Sequence, residues 1–144
     1  MKAVKLVWIV TLLSCVDITP FYKGIERLLK DVEVITAEEL KKELDRKKVT
    51  VVNVLRERAY KDCSIRGSKN IPLSQLKQKV KSWDKSRKII VHCASYDCPL
   101  SRYAYKQLKE LGFINVKSFE GGLKEWKQKG YPVKGKCKAG YLKS

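Results

Sequence analysis

Cys93 has the setting in this 144-residue chain that could make a side chain nucleophilic. It directly follows the apolar run Lys88 to His92. The polar stretch Ala94-Ser95-Tyr96-Asp97-Cys98 then separates it from Pro99 and an amphipathic run ending near Leu111. That order reads as strand, short loop and helix. Backbone N–H groups of a tight loop opening a helix point inward, and the helix end adds about half a positive charge. Such a place binds oxyanions and favours a thiolate over a thiol. The spacing makes Cys93 a candidate catalytic nucleophile, with Ala94, Ser95, Tyr96, Asp97 and Cys98 as a candidate substrate-binding loop. An inert buried cysteine at a strand end is the plain alternative.

Three neighbours invite a role. Cys98 stands within reach of Cys93 across one loop and is a candidate resolving thiol. Arg102 is a candidate anion-binding group, with a solvated helix residue as its alternative. His92 reads as a strand-end hydrogen-bonder, because a thiolate activated by its loop needs no general base. It is the single histidine, adjacent to Cys93, and no paired C-x2-C knuckle accompanies it, so neither a metal site nor a cofactor is expected. The five cysteines (Cys15, Cys63, Cys93, Cys98, Cys137) are odd in number and irregular in spacing, which does not suggest a disulfide framework. Cys63 and Cys137 accordingly read as incidental thiols, Cys137 in a mobile tail.

The elements that must position Cys93 follow from periodicity. Val32 to Ile35 is a short apolar run of strand type. Thr36 with Glu39 forms a capping box, followed by a helix with Ala37, Leu40 and Leu44 on one face. Val49 to Leu55 is a β-branched run expected to be buried on both sides of a parallel sheet. A polar loop to Gly67 leads to a helix around Ser74 to Trp83, and Lys88 to His92 is a second buried strand. The helix after Cys93 ends at Gly112, Val116 to Phe119 is another strand, and Leu123 to Lys129 is a final helix. Strands alternating with helices give an α/β fold, a doubly wound parallel sheet flanked by helices. Ligands in such sheets sit off the carboxyl ends of the strands, where Cys93 falls. Asn53, at a neighbouring strand end, is a candidate for positioning the loop, Tyr96 for lining the pocket mouth, and Trp126 for core packing.

The formal charge is +17, from 32 Lys plus Arg against 15 Asp plus Glu. Such a surface attracts anions, although lysines scattered along helices first read as a solvated face. After Glu125 no acid follows, while Lys127, Lys129, Lys134, Lys136, Lys138 and Lys143 do, so residues 134–144 read as a basic C-terminal tail. No RNA- or DNA-binding signature goes with it, and nucleic acid is not an expected partner.

Residues 1–33 read as an N-terminal segment with a linker. Met1 to Lys5 carries two lysines and Leu6 to Leu13 is apolar, like the start of an export signal, and too short to span a bilayer. Leu12-Leu13-Ser14-Cys15 looks like a lipoprotein site. If Cys15 is lipidated the protein is exported and membrane-anchored; otherwise the segment packs on the domain and the protein is cytoplasmic. Thr19-Pro20 marks a turn, and Ile25, Leu28 and Leu29 suit one turn of helix.

Residues 34–133 resemble the rhodanese-like domain, a family of single-domain sulfurtransferases. The resemblance is carried by KIIVHC with its following helix, and by Phe119-Glu120-Gly121-Gly122-Leu123-Lys124-Glu125-Trp126 with Gly130-Tyr131-Pro132-Val133. Val51 to Leu55 with Ile65-Arg66-Gly67-Ser68 and Asn70-Ile71-Pro72 completes it. It implies a sulfurtransferase that moves sulfane sulfur from thiosulfate or a similar small anionic donor to a thiol or cyanide acceptor, or to a protein acceptor, through a Cys93 persulfide. There are departures. Asn53-Val54-Leu55 stands where the family has Asp-x-Arg, and Ser64, with Cys63 before it, replaces a common His. Cys98 occupies the position of the usual loop Arg, whose packing place it could fill, and Arg102 is the next loop-end Arg.

Three other readings compete. A persulfide carrier or thiol redox protein would use Cys93 and Cys98 together. A phosphatase or arsenate reductase would need an Arg where Pro99 stands. Non-catalytic modules of the family usually lack the loop cysteine, which this chain keeps.

Overall fold

The computed structural model describes residues 31–143. The readings placed on Met1 to Lys5, Leu6 to Leu13, Cys15, Thr19-Pro20 and the turn around Ile25 lie outside the described residues. Among the described residues no helix is long and apolar enough to cross a membrane.

Helix α1 spans Ala37–Asp45 and opens with the expected capping box. The Glu39 N–H donates to Thr36 Oγ1 at 3.2 Å, and the Thr36 N–H donates to Glu39 Oε2 at 3.0 Å. Strand β1 is Thr50–Asn53, and the stretch expected as a polar loop instead holds a short helix, α2 (Glu57–Asp62), and strand β2 (Cys63–Ile65). Strand β3 (Lys69–Asn70) leads through a 3₁₀ turn to α3 (Leu76–Lys79). Then come β4 (Ile89–His92), α4 (Leu100–Glu110), β5 (Val116–Phe119), α5 (Gly122–Gln128) and β6 (Val133–Gly135).

The main sheet is parallel, in the order β3-β1-β4-β5. Val34 joins it through a single bridge to Ser118, where a short strand was expected. Alternate residues of the central strands supply the two faces, since a strand's side chains alternate. Val52, Val91 and Val116 pack with Ala104, Tyr105 and Leu108 of α4. Val51, Ile90 and Phe119 pack with Ala37 and Leu40 of α1 and with Leu123 and Trp126 of α5. Helices cover both faces, and that is the doubly wound α/β architecture expected from the pattern. Trp126 is core packing, edge-on to Phe119 and Tyr131, with its indole N–H donating to Pro132 O at 2.9 Å.

The basic C-terminal stretch belongs to the packed structure. Strand β6 pairs antiparallel with β2, Leu142 is buried in the α1/α5 cluster, and Cys137 forms a disulfide with Cys63. This corrects the reading of Cys63 and Cys137 as incidental thiols and of Cys137 as mobile. Irregular spacing hid the pair because the bond joins residues 74 apart in sequence, brought together by a strand pairing that the polar loop gave no sign of.

Candidate functional site

Cys93 lies just past the carboxyl end of β4, between β1 and β5, and is fully buried. The loop from Ala94 to Cys98 runs from half-buried residues to an exposed crest at Tyr96 and Asp97, and α4 begins at Leu100. The first turn of α5 holds the near side of this loop. The Leu123 N–H donates to Cys93 O at 3.1 Å and the Lys124 N–H to Ala94 O at 2.9 Å. Tyr96 ties the crest to the same helix, its hydroxyl donating to Glu125 Oε2 at 2.8 Å. Tyr96 also lines an open cleft with Val34, Arg102, Glu120 and Glu125, a cleft whose lining does not include Cys93.

Around the thiol the arrangement differs from the expectation. Cys93 Sγ faces backbone oxygen: it donates to Cys98 O at 3.0 Å, with Ser95 O at 4.0 Å and Ser101 Oγ at 3.5 Å. The N–H groups of Ala94 and Leu100 favour an anion at the other sulfur, Cys98, while at Cys93 the Ser101 hydroxyl and N–H do so against the stronger effects of Cys98 and burial. Carbonyls and burial favour a neutral thiol; amides favour an anion. The Cys93 thiol is therefore pushed up by its hydrogen bond to Cys98 and by burial, while the Cys98 thiol is pulled down to about 6 by the Cys93 thiol and the two amides. Neighbouring thiols share one negative charge, and it rests on the half-exposed Cys98. That direction runs against the expectation that the loop would favour the Cys93 thiolate in the resting protein.

Two residues that the pattern did not single out complete the site. Ser101, in the first turn of α4, points back under the loop as helix side chains do and is fully buried. Its hydroxyl donates to Glu120 Oε1 at 3.4 Å, which also accepts from Ser118 Oγ at 2.5 Å. Glu120 Oε2 takes the Arg102 guanidinium in an ion pair, so Arg102 is not a free solvated residue. The signal for Glu120 was its place: a carboxylate directly after β5, beside the strand that carries Cys93.

His92 is fully buried, and its Nδ1–H donates to Cys93 O at 3.1 Å, the strand-end hydrogen-bonding expected of it. Burial pushes its pKa down from 6.5 to about 4, against the smaller opposing effect of that bond, so the ring is neutral; its Nε2 has no hydrogen-bond partner among the described residues. Asn53 sits opposite His92 in register and holds the end of its own strand, Oδ1 accepting from the Leu55 N–H at 2.9 Å. None of its hydrogen bonds among the described residues reaches the Cys93 loop.

Comparison with known proteins places this geometry. The model of the rhodanese-like domain family matches residues 36–129. The chain is 29% identical over 101 residues to an HTH-type transcriptional regulator, Rv0324, of Mycobacterium tuberculosis; the match takes in 70% of this chain and 44% of that protein, so the chain spans less than half the length of this curated relative. Among solved structures, a rhodanese-related protein of Thermoplasma volcanium superposes with a TM-score of 0.60 at 34% identity, covering 71% of this chain and 97% of that one. The human single-domain sulfurtransferase TSTD1 shares the fold at 17% identity, with a TM-score of 0.63 over 68% of this chain and 97% of that one. With a cysteine heading the strand–loop–helix junction of its parallel sheet, this chain belongs to the rhodanese-like domain family.

Proposed function

We propose that the protein is a sulfurtransferase that takes sulfane sulfur from thiosulfate or a similar anionic donor onto Cys93. The position of Cys93 carries this reading: a free thiol at the carboxyl end of a central strand, heading the loop, in a rhodanese-like domain. Non-catalytic modules of the family usually lack the loop cysteine, which this chain keeps. The likeness in fold to a single-domain sulfurtransferase agrees with it.

The chemistry follows from the pair of sulfurs. Cys98, as the resting thiolate, takes the Cys93 proton as Cys93 attacks the outer sulfur of thiosulfate. A bond forms between Cys93 Sγ and that sulfur, the donor's own S–S bond breaks, and sulfite leaves with the electron pair. Cyanide or a thiol then removes the outer sulfur of the persulfide. Cys93 has no exposure, so the donor reaches it only when the Ala94–Cys98 loop swings outward. The +17 charge draws an anion toward the surface.

Sulfite release tests the reading. Thiosulfate added to the protein should liberate sulfite in a stoichiometric burst that Cys93→Ser abolishes. A wild-type protein that frees no sulfite from thiosulfate, and none of the corresponding leaving group from other sulfane donors, overturns it. A plain dithiol redox protein using Cys93 and Cys98 would give that second result.

A further inference from the structure

The site holds a second nucleophile that simple sulfur transfer does not need. Cys98 is free, half-exposed and hydrogen-bonded to Cys93, and Cys93 Sγ lies 3.0 Å from the Cys98 carbonyl. Two free thiols on one loop, the first bonded to the backbone of the second, react as an intramolecular pair, with an effective concentration no free acceptor reaches. The amides of Ala94 and Leu100 ease the loss of the Cys98 proton as its sulfur attacks.

We infer that Cys98 resolves the Cys93 persulfide, closing a Cys93–Cys98 disulfide and expelling the transferred sulfur as hydrosulfide, so that the protein releases sulfide and is reset by a dithiol reductant. The inference rests on the sulfurtransferase reading and supplies its acceptor class. Cys98 attacks Cys93 Sγ, the inner sulfur, which lies 3.0 Å from the carbonyl of Cys98 itself. The new Cys93–Cys98 bond forms as the bond to the outer sulfur breaks, and the outer sulfur leaves with the electron pair. The proton that Cys98 took from Cys93 in the first step goes with it, giving HS⁻. The two cysteines together lose two electrons and the sulfane sulfur gains them, so no outside oxidant enters. A small dithiol, or a protein with a reactive dithiol, then returns the disulfide to two thiols by exchange.

Cys98 is the group that separates this from transfer to an outside thiol. A persulfide left without Cys98 would persist until an acceptor arrived. A persulfide beside Cys98 decays by itself, once per molecule, until a reductant is supplied.

The test uses the full chain, free of oxygen and of reductant, with thiosulfate as the donor. Sulfite and sulfide are assayed, and the protein is mapped under non-reducing conditions. Wild type should release sulfite and then an equal amount of sulfide, and its map should contain the Cys93 and Cys98 peptides joined. Cys98→Ser and Cys98→Ala, deprived of the base of the first step, should release sulfite more slowly, release no sulfide and retain a cyanide-labile sulfur on Cys93. Added dithiothreitol should make sulfide release continuous in wild type. Sulfite without sulfide from wild type, with the extra sulfur resting on either cysteine, overturns the inference and leaves the sulfurtransferase reading standing. Absence of both products overturns the two together. The wild-type map decides the matter even where a variant fails to fold.

Discussion

Gly122 approaches the Cys93 carbonyl so closely that a β-carbon there would stand 2.7 Å from Cys93 O and 2.7 Å from Ala94 C. Real β-carbons do not come that close to backbone. Gly122 also has φ +59°, a left-handed conformation that glycine alone adopts without strain. This close approach lets the Leu123 and Lys124 amides reach Cys93 O and Ala94 O. Gly122→Ala should therefore push the loop off α5. We expect a loss of about 2–4 kcal/mol in urea unfolding, from left-handed strain plus overpacking. Sulfite release should fall with it, measured at a temperature where the variant remains folded. Unchanged stability and turnover would mean that α5 does not hold the loop.

The assignment of the resting charge to Cys98 is open to direct titration. Iodoacetamide reacts with thiolates, so its rate follows the ionised fraction. The fast-reacting thiol of the native protein should show a midpoint near the value of about 6 to which its neighbours pull Cys98. Peptide mapping should find the label on half-exposed Cys98 and not on buried Cys93. In Cys93→Ala the Cys98 midpoint should rise, because the group that most lowers it is gone. A first label on Cys93 would reverse the assignment.

Glu120 offers a second handle on the same charge. Its carboxylate, near the loop, disfavours a thiolate at Cys98. Glu120→Gln keeps an oxygen for the Ser101 and Ser118 hydroxyls but removes the charge that pairs with Arg102. The Cys98 midpoint should therefore fall below that of wild type, while stability drops by about 1–3 kcal/mol from the broken buried partnership. A midpoint that stays put or rises would show that the Glu120 charge does not act on Cys98.

Much of this architecture was legible because local and global signals agree. Thr36 and Glu39 cap α1 as their spacing requires, and the β-branched runs at Val51 and Ile90 became the central strands. Cys93 was placed by topology alone, at the carboxyl end of one of those strands. The rest depended on three-dimensional neighbours. Which sulfur receives the loop amides is a matter of where Ala94 and Leu100 point, and no spacing rule records it. Ser101 reads as one more polar helix residue until the loop is seen above it. The helix at Glu57–Asp62 carries no buried side chain, so no apolar period marked it. Strand β6, whose residues are half-buried to exposed, is held by pairing with β2 and not by an apolar pattern.

His92 makes stability depend on pH in a definite direction. In the unfolded chain it titrates near 6.5; in the folded protein burial holds its pKa at about 4. Between these values the unfolded state binds a proton that the native state refuses, so stability rises with pH there. As pH falls from about 6.5 to about 4 the His92 contribution should cost up to about 3 kcal/mol. Urea midpoints taken at pH 7 and pH 4.5 for wild type and His92→Gln isolate it, because the paired carboxylates titrate alike in both proteins. Parallel pH profiles for the two would refute a buried neutral imidazole.

The disulfide between Cys63 and Cys137 joins residues 74 apart and fixes the chain's C-terminal stretch beside β2. Asp62 reinforces it: its carboxylate accepts from the Lys138 N–H at 3.1 Å and the Ala139 N–H at 3.0 Å, and its carbonyl from the Cys137 N–H at 2.8 Å. In the chain-entropy account, a cross-link closing a loop of this length stabilises the fold by about 4 kcal/mol, chiefly by restricting the unfolded chain. Cys63→Ala with Cys137→Ala should therefore lower stability by about 2–4 kcal/mol in urea. Cys63 is fully buried, so some of that loss is packing. Reduction of the wild-type protein separates the two, since it removes the cross-link and keeps both side chains. Because the hydrogen bonds of Cys93 run to Ser95, Cys98 and Ser101 and not to either half of the disulfide, the reduced protein should still release sulfite from thiosulfate at temperatures well below its melting point. Loss of that burst in a reduced but folded protein would mean that the C-terminal stretch acts on the site and not only on the fold.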